Sequence, residues 1–121
     1  MSGQPRLFMV VDDEESIRHS IASFLEDEGF EVLTAGSAEN ALEILKSHPV
    51  EGAVVDIRLP GRDGNAFMLE AFRLRPQMKF VVHTGSADYT PNAEVRAIGV
   101  THDKVLIKPV KDLSIILNAL A

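Results

Sequence analysis

Leu7-Phe8-Met9-Val10-Val11-Asp12-Asp13-Glu14-Glu15 is the stretch from which the rest of the chain can be ordered. Five apolar residues in an unbroken run suit a strand covered on both faces, since a strand with one wet face alternates instead. The run stops abruptly at four consecutive acids. Carboxylates crowded together repel one another, and a site built that way usually waits for a cation.

Working outward, Met1 to Pro5 read as a loose start, and the acids open a helix from Glu14 to about Glu28. Its apolar residues Ile17, Ile21, Phe24 and Leu25 recur at helical spacing, and Gly29 stands just past its end. Phe30 to Ala35 predict a short strand with partial alternation, nearer a sheet edge. Ser37 caps a helix carrying Ala38, Ala41, Leu42 and Leu45, which His48-Pro49 closes. Ala53, Val54 and Val55 then lead into Asp56, a Pro60-Gly61 turn follows, and Phe67, Ala71 and Leu74 mark a third helix ending before Pro76. Phe80 to Thr84 form a fourth strand. Thr90-Pro91 open a short fourth helix, with Pro91 at its first position and Gly99 as its stop. Val105 to Ile107 make a fifth strand, and a last helix from near Lys111 presents Leu113, Ile116, Leu117 and Leu120 on one face.

Strand then helix, five times over, predicts an α/β fold: a doubly wound, five-stranded parallel sheet with helices on both faces and right-handed crossovers. Ligands of such sheets bind beyond the carboxyl ends of the strands, near the topological switch point. Asp12 and Asp13 end strand one, Asp56 ends strand three, Thr84 ends strand four and Lys108 ends strand five. The residues with useful chemistry therefore share one edge.

Composition agrees. The 121 residues fit one domain (1–121), and 45% apolar with 25% charged residues are ordinary globular values. The absence of cysteine removes disulfides, thiol nucleophiles and Cys-based zinc sites, and with no secretory h-region it points to the cytoplasm. No apolar run approaches the roughly 20 residues needed to span a bilayer. A net charge of −6 argues against direct nucleic-acid binding.

Three converging carboxylates favour a divalent cation. Oxygen-only ligands, with a phosphoryl oxygen and waters completing the shell, suit Mg²⁺ best. An aspartate there can attack phosphorus and form an acyl phosphate. Asp56 is the best placed nucleophile, because a buried strand fixes its backbone while Asp12 and Asp13 serve the metal. Lys108 offers a point charge to one phosphoryl oxygen, and Thr84 a hydroxyl to another. Taken singly, each has an ordinary reading: helix capping for Asp12 or Asp13, a turn residue for Asp56, a β-branched strand residue for Thr84, a solvated lysine for Lys108. The full set reverses those readings.

The motifs VVDDEESIR, VVDIRLPGRDG, VVHTGS and VLIKPV resemble those of the receiver domains of two-component response regulators, over nearly the whole chain. The resemblance implies strand order 2-1-3-4-5 in a flavodoxin-like arrangement and phosphorylation at Asp56. It also implies Mg²⁺ held by Asp12, Asp13, Asp56 and the Ile57 backbone carbonyl, with phosphoryl contacts from Thr84 and Lys108. It supplies a partner too, a phosphohistidine on a histidine kinase or histidine phosphotransfer protein. A downstream protein target, or a homodimer, would use the face of the fourth helix, fifth strand and fifth helix.

Two departures stand out. Receivers often carry Tyr or Phe three residues before the lysine, where this chain has Val105, and the stretch Gly85 to Pro91 is longer than in many relatives. Arg58 and Ser86 occupy positions that tune hydrolysis in this family. His19, His48, His83 and His102 lack metal-ligand spacing and are assigned no role; Tyr89 reads equally as a partner contact or a packing residue, and Met9, Met68 and Met78 as core. Among rivals, a haloacid-dehalogenase-type phosphatase wants Asp-x-Asp after strand one. A flavodoxin-like cofactor binder wants a glycine- and hydroxyl-rich loop where this chain has acids. A receiver-like interaction module that signals without phosphorylation is the alternative that Val105 keeps open. Both a stand-alone regulator and a piece of a longer one fit the length.

Overall fold

A computed structural model describes residues 6–120. The expected loose start at residues 1–5 lies outside the described residues, as does residue 121. Five strands, β1 (Leu7–Val11), β2 (Glu31–Ala35), β3 (Gly52–Val55), β4 (Lys79–Thr84) and β5 (Val105–Ile107), alternate with five helices. These are α1 (Glu15–Asp27), α2 (Ala38–Ser47), α3 (Gly64–Leu74), α4 (Ala93–Ala97) and α5 (Ser114–Leu120). All pairings are parallel, in the order β2-β1-β3-β4-β5.

Alternation within β1 divides the core. Met9 and Val11 face a layer of α2, α3 and α4, with Leu45, Phe67, Met68 and Val95. Phe8 and Val10 face α1 and α5, with Ile21, Leu25, Ile116 and Leu120. Phe8 to Val11 are all fully buried, which is why the run shows no hydrophilic alternation. Each such side chain contributes about 1.5–3 kcal/mol of burial. β2, the edge strand, is more exposed, with Glu31 and Thr34 open to solvent and Ala35 buried, in keeping with the partial alternation of its sequence.

Ser37 caps α2 as expected, its hydroxyl accepting the Asn40 amide at 3.2 Å. Two helix starts fall later than the sequence suggested. α4 begins at Ala93 because the Asn92 side chain accepts the Val95 amide at 2.9 Å, a cap that Pro91 cannot supply; Pro91 stands before the helix, not in its first turn. α5 begins at Ser114, where Asp112 Oδ1 accepts the Ser114 amide at 3.0 Å. Gly99 ends α4 with φ +103°, a left-handed conformation that favours glycine. Among the described residues, no helix is long and apolar enough to cross a membrane.

Candidate functional site

Strand order reverses between β1 and β3, so their carboxyl ends open the crevice that open α/β sheets use for ligands. Register brings the ends level: Val11 lies opposite Val55, and Val55 opposite Val82. Asp12 and Asp56 are the next residues along, and both are buried. The backbone secures them, since the Asp56 amide donates to the Val11 carbonyl at 2.9 Å and the Asp12 amide to the Ala35 carbonyl at 3.1 Å. Exposed Asp13 joins them, and carboxylate oxygens of Asp12, Asp13 and Asp56 lie within 4.8 Å of one another.

Lys108 answers this charge from the end of β5. Its Nζ lies 3.0 Å from Asp12 Oδ2, 3.0 Å from Asp56 Oδ2 and 3.1 Å from Glu14 Oε1. The peptide that follows it, to Pro109, is cis. Burial alone would lower the lysine's pKa, but hydrogen bonds to Asp12, Asp56 and Glu14 outweigh it and the net shift is upward, so Lys108 stays charged. Asp12 is raised above the ordinary carboxylate value, chiefly by burial, against the opposing pull of the Glu14 amide and of Lys108. A carboxylate whose charge is penalised by burial gains from a second cation. The three-aspartate donor set is all oxygen, as Mg²⁺ and Ca²⁺ prefer.

Around this centre, Asp56 Oδ1 accepts the Arg58 amide at 3.1 Å, leaving Oδ2 for Lys108. Thr84 is fully buried, and its Oγ1 accepts the Ser86 amide at 3.2 Å at the root of the loop between β4 and α4. Farther along that loop, the Tyr89 hydroxyl donates to Asn65 Oδ1 at 2.5 Å while its ring packs on the α3 side of the core. Of its two sequence readings, packing is therefore met. The Ile57 carbonyl, expected in the metal shell, accepts the Gly64 amide of α3 at 2.8 Å, which occupies one of its two lone pairs. Helix N-termini present unbonded amides, and this carbonyl satisfies one of them. Val105 is half-buried on β5, with no aromatic ring in its place.

Three participants went unread in the sequence. Glu14, by its sequence an acid that opens a helix, is the third carboxylate on Lys108. Arg18 donates from Nη1 to the Asp12 carbonyl at 2.7 Å. His83, assigned no role, is buried on β4, its two ring nitrogens without a hydrogen-bond partner among the described residues, and it lines a cleft of about 250 Å³ between α1 and the segment after β5. Its neighbours Val82 and Thr84 in a doubly covered strand were the signal for that burial. A larger concavity of about 590 Å³, lined by Arg6, Glu51 and Lys79, lies at the opposite end of the strands.

His83 carries a measurable consequence. Burial, and secondarily the positive Lys108, lower its pKa from 6.5 to about 4. A depressed folded-state value means that its stability contribution is complete above pH 6.5 and is lost as pH falls toward 4. That loss amounts to about 2–3 kcal/mol by pH 4.5. Urea unfolding at pH 7 and pH 4.5 is expected to show His83→Leu losing less stability than the parent by that amount; an equal loss in both would remove His83 from the acid response.

Comparison with known proteins agrees with the geometry. Residues 8–120 match the family model described as the response regulator receiver domain. The chain belongs to that family, the receiving module of two-component signalling. It is 35% identical to the transcriptional regulatory protein AruR of Pseudomonas aeruginosa over 124 aligned positions, which cover 98% of this chain and 49% of that protein. With a putative NtrX-like response regulator of Rickettsia conorii it shares 42% identity, over 64% of this chain and 17% of the other. The chain thus spans about half of AruR and less of the NtrX-like protein.

Among solved structures, a response regulator of Burkholderia pseudomallei with a phosphorylated aspartic acid, calcium ion and citrate superposes with a TM-score of 0.84 at 28% identity. The match covers 96% of this chain and 66% of that one. A receiver domain protein of Methanospirillum hungatei gives 0.78 at 28% identity, covering 95% and 90%. Receiver domains hold a divalent cation in an acidic pocket and interact with histidine kinases and downstream effectors.

Proposed function

We propose that this chain is a single receiver domain over residues 1–121 that accepts a phosphoryl group on Asp56 in an Mg²⁺-dependent reaction and uses it to switch partner binding. The observation that carries the reading is the ammonium of Lys108 bridging Asp12, Glu14 and Asp56 within 3.1 Å, beside a three-aspartate oxygen cluster. Asp12, Asp13 and Asp56 would hold the cation, with the Ile57 carbonyl completing the shell. When bound, it supplies positive charge to the equatorial phosphoryl oxygens. The donor is a phosphohistidine of a histidine kinase or phosphotransfer protein: an Asp56 oxygen bonds to phosphorus, the P–N bond breaks, and the imidazole leaves with its electron pair. Lys108 passes from carboxylate to phosphoryl oxygen, and the Thr84 hydroxyl turns from the Ser86 amide to donate to another. That turn couples the site to the loop leading to α4. The domain catalyses its own phosphorylation and dephosphorylation, and its setting is the cytoplasm.

Ile107 on β5 and Ile115 on α5 are exposed, which supports the α4–β5–α5 face as the surface for a downstream protein target or a homodimer. A beryllofluoride-activated receiver domain dimer of NtrC4, similar at 28% identity and TM-score 0.79, supports the second use.

Intact mass after incubation with Mg²⁺ and a small-molecule phosphodonor tests the reading. One phosphoryl gain that disappears in EDTA is expected. No gain in folded protein would favour an interaction module working without phosphorylation. Exposed Arg58, beside the nucleophile, sets accessibility to hydrolytic water. Arg58→Ala is expected to change the acyl-phosphate half-life several-fold, by roughly 1 kcal/mol in barrier, without abolishing phosphorylation. An unchanged decay rate removes Arg58 from the account.

A further inference from the structure

Asp12 is held at each of its polar backbone atoms. Its amide donates to the Ala35 carbonyl at 3.1 Å, and its carbonyl accepts Arg18 Nη1 at 2.7 Å. Its own carboxylate turns inward, with Oδ1 accepting the Glu14 amide at 2.9 Å. The Asp12 carbonyl belongs to the peptide plane that joins Asp12 to Asp13. Because a peptide is planar, fixing the direction of that carbonyl fixes the plane, and with it the direction in which the chain departs toward the Asp13 carboxylate.

Arg18 reaches this carbonyl from α1, where its backbone amide is bonded to the Glu14 carbonyl at 3.0 Å. The partner of this guanidinium is a neutral carbonyl, although four acids lie just before it in sequence. Its place is made by the loop after β2. A Cβ on Gly36 would stand 3.2 Å from Arg18 Nη1 and 3.8 Å from its Cζ. Among the described residues the positive-φ glycines are Gly29, Gly61 and Gly99, so at Gly36 the missing side chain serves space, not backbone conformation.

We infer that Arg18 is a positioning residue for the cation site: accommodated by Gly36, it locks the Asp12–Asp13 peptide so that both carboxylates address one metal ion. This rests on the metal-dependent reading of the cluster. Groups that orient metal ligands from behind typically matter about 10–100-fold in metal affinity. Arg18 touches no reacting atom, so its loss raises the Mg²⁺ concentration needed for half-maximal phosphorylation and leaves the rate at saturating Mg²⁺ near that of the parent.

Titration of the unphosphorylated full chain with Mg²⁺ by calorimetry, alongside thermal unfolding in EDTA, tests the assignment. Arg18→Gln is expected to weaken Mg²⁺ binding about tenfold with little change in metal-free stability. Gly36→Ala, whose Cβ makes the guanidinium give by a few tenths of an ångström, weakens it in the same direction by less, and the double variant is no weaker than the poorer single one. Arg18→Lys, a cationic donor of longer reach than glutamine, recovers part of the loss. Parent-like affinity in both single variants, or effects that simply multiply, would overturn the inference. Should Arg18→Gln not fold, Gly36→Ala alone decides. A parent protein that binds no Mg²⁺ would instead overturn the cation reading itself, and this inference with it.

Discussion

Asp56→Asn is expected to take up no phosphoryl group from any donor while folding normally. The substitution keeps the shape of the side chain, and an asparagine oxygen at the Oδ1 position still accepts the Arg58 amide. What it removes is the anionic oxygen now 3.0 Å from Lys108, the atom proposed to bond to phosphorus. The new amide nitrogen takes the Oδ2 position and is a donor, so Lys108 withdraws from it toward Asp12 and Glu14, which it retains as partners, and no buried charge is orphaned. Taking one carboxylate from a group whose oxygens lie within 4.8 Å also relieves repulsion, so metal-free stability is expected to stay level or rise by up to about 1 kcal/mol. Intact mass and a urea melt on the same sample read both outcomes. A phosphoryl gain that survived in Asp56→Asn would place the nucleophile on Asp12 or Asp13 and reverse the assigned roles.

Gly64→Ala is expected to be the most damaging single methyl in the described part of the chain. A Cβ on Gly64 would lie 2.7 Å from Ile57 Cα and 3.0 Å from the Asp56 carbonyl oxygen, both backbone atoms of the segment that carries the nucleophile. Flexible side chains can yield to such a contact; a backbone tied to Val11 at one end and to the Gly64 amide at the other must shift as a unit. Overpacking of this kind costs about 3 kcal/mol. For a domain of this size that is a fall of roughly 10–20 °C in melting temperature. Gly85→Ala is the control, since a Cβ there meets nothing within 4 Å. Thermal unfolding of the two variants checks the contrast; a Gly64→Ala melting point within a few degrees of the parent would mean the β3–α3 connection is looser than its contacts imply. Surviving folded protein is also expected to phosphorylate poorly, because the same shift moves Asp56.

Several features were legible from residues alone because the physics behind them is local. The unbroken run from Leu7 to Val11 states that both faces of a strand are covered, and the α1 and α2 spacings state which helix face is buried. With strands and helices alternating, a parallel sheet and its ligand edge follow, and with them the position of Asp12, Asp13, Asp56, Thr84 and Lys108 at one end of the strands. The strand order came only from family resemblance, since periodicity does not say which strands are neighbours.

Tertiary structure decided what depends on partners distant in sequence. Lys108 meets Glu14 across 94 residues and Asp56 across 52, and only the pairing register shows that it takes all three carboxylates at once. Capping by Asn92 and Asp112 set the starts of α4 and α5, where several residues offered equal local signals. The Ile57 carbonyl turned to Gly64 because α3 needed its first amide satisfied, a demand that appears only once the helix is in place. Arg18 and His83 show the same limit: an arginine on a helix and a histidine in a strand are locally unremarkable. A carbonyl at 2.7 Å made one a brace, and a covering layer of helices made the other a buried neutral base, because sheet packing brings together groups that no periodic pattern in the chain records.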